Sequence, residues 1–279
     1  MGRFDGKVAL ISGAARGQGR SHAVRLAEEG ADVAIFDLAG PLASPRYPMP
    51  TPDDLAETAR LVSEAGGRVV SRQGDVRDRE ALEGLVADTV SELGPIDLVV
   101  ANAGITSLGP AVDLTPAMWD EMIGINLTGA WNTVQIAMPS MIEAGRGGAI
   151  VFTSSIAGLM GMPTLAHYTA SKHGLVGLMK ALANELAPHN IRVNTVNPTN
   201  VGTPMLLNDF TYQNFRPDID GPTQDDAKAA FMSYNLLQVP WMEVEDVSHA
   251  VLWLLSDEAR YVTGAAIPID CGSLAKFPA

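Results

Sequence analysis

Val8-Ala9-Leu10-Ile11-Ser12-Gly13-Ala14-Ala15-Arg16-Gly17-Gln18-Gly19 is the stretch on which the fold turns. Its four leading apolar residues do not alternate with polar ones, as expected of a strand buried on both faces. Glycines at 13, 17 and 19 then let the backbone turn tightly and come close to a ligand. From Gln18 to Glu29, Ala23, Leu26 and Ala27 recur at helical spacing. A strand, a glycine-rich turn and a helix in that order aim helix amides at an anion, and a pyrophosphate suits such a turn. Gly13, Arg16, Gly17, Gln18 and Gly19 are therefore candidate ligand-binding residues. The simpler alternative is a plain strand-to-helix turn.

The same rhythm continues along the chain. Strands are predicted over 32–36, 68–72, 97–101, 149–153, 192–196 and 265–269, and helices over 55–65, 79–93, 168–186 and 244–255. Residues 116–141 read as one long helix with a break near Gly129 or Pro139. Short apolar strands alternating with helices predict an α/β fold, a single doubly wound domain over 1–279 with seven parallel strands and helices on both faces. Two stretches break the rhythm. Residues 39–52 hold Pro41, Pro45, Pro48, Pro50 and Pro52 and read as an extended loop. Residues 204–240 mix aromatic, Met, Asn and Asp residues and read as a long loop, the kind that serves as a substrate lid.

Composition narrows the function. The 279 residues carry 19 Lys and Arg against 32 Asp and Glu, a net charge of −13. Such a chain repels a phosphate backbone, so nucleic acid is not an expected partner. Charged residues are only 18% and hydrophobic ones 47%, enough to bury a large core and some surface besides. The single cysteine, Cys271, excludes an internal disulfide and a cysteine-based zinc site, and it fits the cytoplasm. No metal site is expected: the five histidines lack ligand spacing. The N-terminal run is too short for a signal peptide, and no apolar stretch approaches the ~18 residues of a membrane span.

Three further features carry chemistry. Asp37 ends the second strand, 18 residues beyond Gly19. A carboxylate there accepts both hydroxyls of an adenosine ribose and repels a 2′-phosphate, which favours NAD over NADP. Arg16 dissents, because it suits a 2′-phosphate, but no Arg or Lys follows Asp37 in Leu38-Ala39-Gly40. Tyr168 and Lys172 stand one turn apart on one helix face. A phenol with a pKa near 10 is a poor base at neutral pH unless cations favour its ionised form. Ser155 lies 13 residues before the tyrosine at the end of a strand, where a hydroxyl can hold a substrate oxygen.

Together these motifs resemble the short-chain dehydrogenase/reductase superfamily, a Rossmann-fold family. The resemblance rests on Gly13-x-x-x-Gly17-x-Gly19, Asp75-Val76, Asn102-Ala103-Gly104, Asn126, Ser155 and Tyr168-x-x-x-Lys172, which occur in the family's order. It implies that Asp75 and Val76 contact adenine and that Asn102, Ala103 and Gly104 shape the wall beside the adenosine ribose. It further implies that Asn126 holds a water linking Lys172 to solvent and that Ser155 orients the substrate carbonyl. Tyr168 would be the acid/base, and Lys172 would bind the nicotinamide ribose and depress the pKa of Tyr168. Ser154 is the competing serine, but the spacing matches Ser155. Pro198, Val201 and Thr203 match the segment that holds the carboxamide, although Thr199 stands where the family has glycine.

A narrower resemblance follows from three features: the proline-rich insert, Pro198-Thr199, and the ending Asp257-Glu258-Ala259-Arg260-Tyr261-Val262-Thr263-Gly264. These look like the mycofactocin-associated, carveol-dehydrogenase-like subgroup. That likeness implies NAD held without ready exchange and electrons passed to the peptide-derived carrier mycofactocin. The insert, residues 39–52, lies beside the expected adenosine site and reads as a lid over bound NAD, with a surface loop without function as the alternative. The likeness also implies a homotetramer built on the two long helices and the C-terminal region. Met160, Met162, Met205, Leu206, Phe210, Phe215, Phe231, Met232 and Trp241 fall where they border a substrate, so a small hydrophobic alcohol or ketone of terpenoid or alicyclic type is favoured over a polyol. His167 and His173 flank the tyrosine and read most simply as packing or surface residues, with substrate contact the alternative. Two other functions compete with a dehydrogenase. A catalytically silent NAD sensor or scaffold has no need of Asn126, Ser155, Tyr168 and Lys172 together. An epimerase or dehydratase usually has a larger C-terminal substrate domain.

Overall fold

The computed structural model describes residues 2–277. Seven strands form one parallel sheet: β1 (Val8–Ser12), β2 (Asp32–Asp37), β3 (Val69–Gln73), β4 (Leu98–Ala101), β5 (Gly148–Thr153), β6 (Ile191–Pro198) and β7 (Ala266–Ile269). Their order is β3-β2-β1-β4-β5-β6-β7, with Ser12 level with Phe36 on one side and Ala101 on the other. Successive residues of the central strands enter opposite layers. Leu10, Val99, Ile150 and Phe152 pack beneath one set of helices, whereas Ala9, Ile11, Val100 and Val151 pack beneath the other. That is the physical reason the strands carry unbroken apolar runs.

The first layer holds α3 (Arg79–Glu92), α4 (Pro116–Ile123), α5 (Ala130–Ala144) and α6 (Ala166–Leu186). The second holds α1 (Gly17–Glu28), α2 (Pro52–Glu64) and α9 (Val244–Leu255). Strand order reverses between β1 and its neighbours β2 and β4, so a crevice opens at their carboxyl ends.

Three expectations are refined. The break expected near Gly129 falls there, as a π-helical turn at Gly124–Gly129, and the helix predicted over 116–141 then runs on to Ala144 through Pro139. A Cβ on Gly129 would lie 2.4 Å from Val76 Cγ2, so glycine allows the close approach there. Pro139 removes one helical hydrogen bond without ending the helix. Pro52, counted with the insert, is the first residue of α2. Thr51 caps that helix by accepting from the Asp54 amide, while Asp54 accepts from the Thr51 amide at 2.8 Å. Finally, residues 204–240 are not one irregular loop. They contain α7 (Asp209–Phe215) and α8 (Gln224–Met232), joined by an aromatic cluster. Fully buried Phe231 lies 4.6 Å from Phe215 and 6.2 Å from Trp241, centroid to centroid.

His22 of α1 is fully buried, and its Nδ1 pairs with Ser248 Oγ of α9 at 2.8 Å. Burial lowers its pKa from 6.5 to about 3. The unfolded chain therefore binds this proton near pH 6.5, and the folded chain binds it only near pH 3. Stability contributed by neutral His22 is complete above pH 6.5 and is lost as the pH falls toward 3. Thermal melts should show this acid-side loss, and His22→Asn should flatten it while lowering stability at neutral pH.

Candidate active site

The carboxyl ends of β1, β2, β4, β5 and β6 open into one cavity of about 580 Å³. All the residues singled out for cofactor or chemistry line it except Gly19 and Asn126. Gly19 serves packing: a Cβ there would lie 2.0 Å from the Gly13 carbonyl oxygen, so only glycine lets α1 sit so close to the turn. Gly13 and Gly17 have φ of +70° and +58°, the left-handed region that glycine enters freely.

Asp37 ends β2 at the cavity wall. Its Oδ2 accepts from the Ala15 amide and its Oδ1 from the Ala39 amide, each at 2.9 Å. Burial still pushes its pKa above the ordinary carboxylate value, against those bonds. The Arg16 guanidinium donates to the Pro48 carbonyl, so it pins the insert. Asn102 ties three strand ends together: its Nδ2 donates to the Gly13 carbonyl at 3.0 Å, and its Oδ1 accepts from Thr153 Oγ1 at 3.1 Å. The Asp75 carboxylate accepts from the Arg77 amide at 2.8 Å.

Ser155, Tyr168 and Lys172 meet at the other end. Ser155 Oγ accepts from the Ala157 amide at 3.1 Å and contacts the Tyr168 phenol. Both serines line the cavity, but Ser154 Oγ donates to the Lys172 carbonyl at 3.0 Å, so Ser155 is the one set against the Tyr168 phenol. Lys172 Nζ donates to the Thr153 carbonyl at 2.8 Å and lies 5.5 Å from the Tyr168 ring centroid. Burial lowers the Lys172 pKa to about 8. In the protein alone, two opposing causes act on the Tyr168 pKa. Burial raises that pKa, the Ser155 bond opposes the rise, and Lys172 spends a donor on the backbone. A further positive charge in the cavity is needed to favour the phenolate.

Asn126 is fully buried within the π-helical turn and does not reach the cavity. Its Oδ1 accepts from the Ile105 amide at 2.8 Å and its Nδ2 donates to the Ile105 carbonyl at 2.9 Å. Its side chain therefore holds the loop after β4. Gly104 lies beside Lys172 and Asn126: a Cβ there would be 3.4 Å from Lys172 Nζ and 3.5 Å from Asn126 Oδ1. Thr199 replaces a family glycine without strain. Its φ is not positive, and its amide donates to the Ile269 carbonyl at 3.1 Å. Val201 bridges to Met242, and Thr203 packs beside Gly17.

The far wall is apolar. Met160, Met162, Met205, Leu206 and Phe215 reach the cavity, whereas Phe231 and Trp241 belong to the aromatic cluster behind it. His167 is buried outside the cavity, with Nε2 on Ser107 Oγ at 2.8 Å, and His173 bonds the Thr169 carbonyl. The insert supplies the remaining cover through Leu42, Tyr47, Met49 and Pro50. Tyr47 was not foreseen, although it is the one aromatic residue of the proline-rich stretch.

The family pattern described as short chain dehydrogenase matches residues 7–213. The chain belongs to the short-chain dehydrogenase/reductase family. It is 51% identical over 278 residues to the (-)-trans-carveol dehydrogenase of Rhodococcus erythropolis, covering 99% of this chain and 100% of that one. The crystal structure of carveol dehydrogenase from Mycobacterium avium in complex with NAD superposes with a TM-score of 0.98 at 52% identity, covering 99% and 100%. A short chain dehydrogenase from Mycobacterium paratuberculosis bound to NAD gives 0.90 at 44% identity, with the same coverage.

Proposed function

We propose that this protein is an NAD-dependent oxidoreductase that interconverts a small hydrophobic secondary alcohol, terpenoid or alicyclic, and its ketone. One observation carries the reading. Ser155, Tyr168 and Lys172 stand at one end of a cavity whose other end has the glycine turn and Asp37, with an apolar wall beside them. The likeness to NAD-bound and carveol-dehydrogenase relatives supports it.

The residues present fit the dinucleotide. Gln18 Oε1 is buried beside the glycine turn without a partner among the described residues. Asp37 uses one lone pair of each oxygen on backbone amides and keeps others for ribose hydroxyls. Arg16 Nη2 donates to the Pro48 carbonyl of the insert, which ties the guanidinium to the lid and leaves it other donors toward the dinucleotide, and the Asp37 carboxylate is what disfavours a 2′-phosphate. Gly13, Arg16, Gly17, Gln18, Asp37, Asp75, Val76, Asn102, Ala103, Gly104, Pro198, Val201 and Thr203 would hold the cofactor along the cavity. When bound, the nicotinamide supplies hydride transfer.

The chain's own residues handle the proton and the orientation. Ser155 Oγ accepts from the Ala157 amide, and its single O–H, turned to the Tyr168 phenol in the protein alone, would swing to the substrate oxygen when substrate is bound. Tyr168 takes the hydroxyl proton in oxidation and returns it in reduction. Lys172 stabilises the phenolate once the cavity is loaded and would bind the nicotinamide ribose. Asn126 supports this set by fixing Ile105. The methionines and Phe215 exclude water and favour an apolar ring.

The proposal extends to five finer points. The insert acts as a lid that keeps NAD from exchanging, with mycofactocin as the electron acceptor, and residues 204–240 form the substrate lid. The protein is a cytoplasmic homotetramer. Exposed Trp131 and the shallow patch of Leu127, Thr128 and Leu178 on the long helices support the assembly, which light scattering tests. The location rests on the lone cysteine; among the described residues no helix is long and apolar enough to cross a membrane. The whole reading is tested by a panel of alicyclic alcohols and ketones with an artificial electron acceptor, together with mass spectrometry of the nucleotide released on denaturation. Turnover and NAD are expected. NADP, or silence across the panel, would refute it.

A further inference from the structure

The proline-rich insert has an inward-facing residue that the family motifs do not account for. Tyr47 is 8% exposed and lines the same cavity as Arg16 and Tyr168. Its hydroxyl oxygen accepts from the Thr106 amide at 3.3 Å. Its own O–H donates to no group among the described residues. A buried hydroxyl with a spare donor at a cavity wall is costly unless something in the cavity accepts it.

The rest of the insert holds this side chain in place. Ala43 and Ser44 amides donate to the Glu121 carboxylate at 3.3 and 2.8 Å. Arg16 takes the Pro48 carbonyl on the other side. Arg46, the preceding residue, packs over the Phe210 ring of α7 at 5.1 Å. The backbone is thus pinned on both flanks of Tyr47, and proline at 45 and 48 limits the conformations it can take. Burial raises the Tyr47 pKa, the Thr106 bond opposes the rise, and the charges of Tyr168 and Arg16 both reach it. The phenol is therefore a protonated donor at neutral pH, placed between the glycine turn and the catalytic tyrosine.

We infer that the Tyr47 hydroxyl is a cofactor-binding donor, given to an oxygen in the central pyrophosphate-to-ribose part of the dinucleotide. Tyr47 is then the clasp by which the insert grips the cofactor. This rests on the reading of the insert as a lid and adds the group that makes it hold.

The test compares Tyr47→Phe with the parent protein and with Tyr261→Phe, a 90% exposed control. Phenylalanine keeps the ring and loses only the long acceptor bond to the Thr106 amide, so the melting temperature without nucleotide should fall by no more than a few degrees. Each protein is desalted repeatedly, and retained NAD is quantified after denaturation. Loss from Tyr47→Phe should be about tenfold faster than from the other two, as expected for one hydrogen bond to a charged or polar ligand oxygen. If the parent itself emerges empty, the lid reading fails on its own. Equilibrium titration with NAD then decides about Tyr47, with a dissociation constant about tenfold higher expected in the variant. Equal retention or equal constants overturn the inference. So does unchanged NAD binding with a raised KM for ketone, which would assign the hydroxyl to the substrate.

Discussion

Tyr168→Phe is expected to reduce turnover by about a hundredfold to ten-thousandfold, the range for losing a positioned acid/base, while bound NAD stays in place. The phenol oxygen is the one group at the cavity that both contacts Ser155 and stands one helical turn from Lys172. Phenylalanine preserves the ring that packs against the core layer beneath α6. The fold should therefore survive, and the loss should fall on kcat. The buried environment raises the phenol pKa, so the loaded cavity has to supply the charge that ionises it. Oxidation by the parent protein should accordingly strengthen as pH rises toward the lowered Lys172 pKa of about 8 and weaken once that ammonium is neutral. The variant should show neither change. Turnover measured across pH for both proteins checks the pair of expectations.

Replacing residues 41–50 with a short Gly-Ser linker should have the second large effect. The insert covers the cavity with Leu42, Tyr47, Met49 and Pro50 and is tied to Arg16, Glu121 and Thr106. Removing a single hydrogen bond to a charged group costs about 1.5 kcal/mol or more, which alone speeds release about tenfold. Removing the cover should therefore turn a retained nucleotide into one that washes out on desalting. Thr51 and Asp54 still cap α2, so the framework should fold, with a lower melting temperature because Leu42, Tyr47 and Met49 no longer pack against it. A shortened protein that keeps its nucleotide through repeated desalting would show that the insert is not the lid.

Most of the framework was legible because it is local. Unbroken apolar runs marked the strands, and the glycine turn marked the crevice before any tertiary contact was known. Asp37, Ser155, Tyr168 and Lys172 were legible by type and spacing, and the cavity brings them into one space. The features missed depend on contacts between distant segments. Helices α7 and α8 are short and carry little periodicity, and they are organised by Phe215, Phe231 and Trp241 packing across the sequence. A break near Gly129 is expected from the sequence, but its π-helical form is not, and the glycine there answers to Val76, some fifty positions away. The resemblance assigns Asn126 to a water beside Lys172, and its side-chain bonds to Ile105, which no motif spells out, add a structural role. Tyr47 carried only a weak mark, an aromatic residue among prolines, and its inward turn is set by Thr106 and Arg16.

The central claim is that the cavity oxidises an apolar secondary alcohol with its own NAD. A single-turnover experiment tests it most directly. Purified protein, loaded with NAD and freed of excess, is mixed with carveol or another alicyclic secondary alcohol, and the near-ultraviolet absorbance of reduced nicotinamide is followed. One equivalent of reduced cofactor per site in the parent protein, with almost none in Tyr168→Phe on the same timescale, is the predicted result. No reduced cofactor with any alcohol of the panel, from protein that demonstrably holds NAD, would contradict the account and point to a silent sensor or scaffold instead.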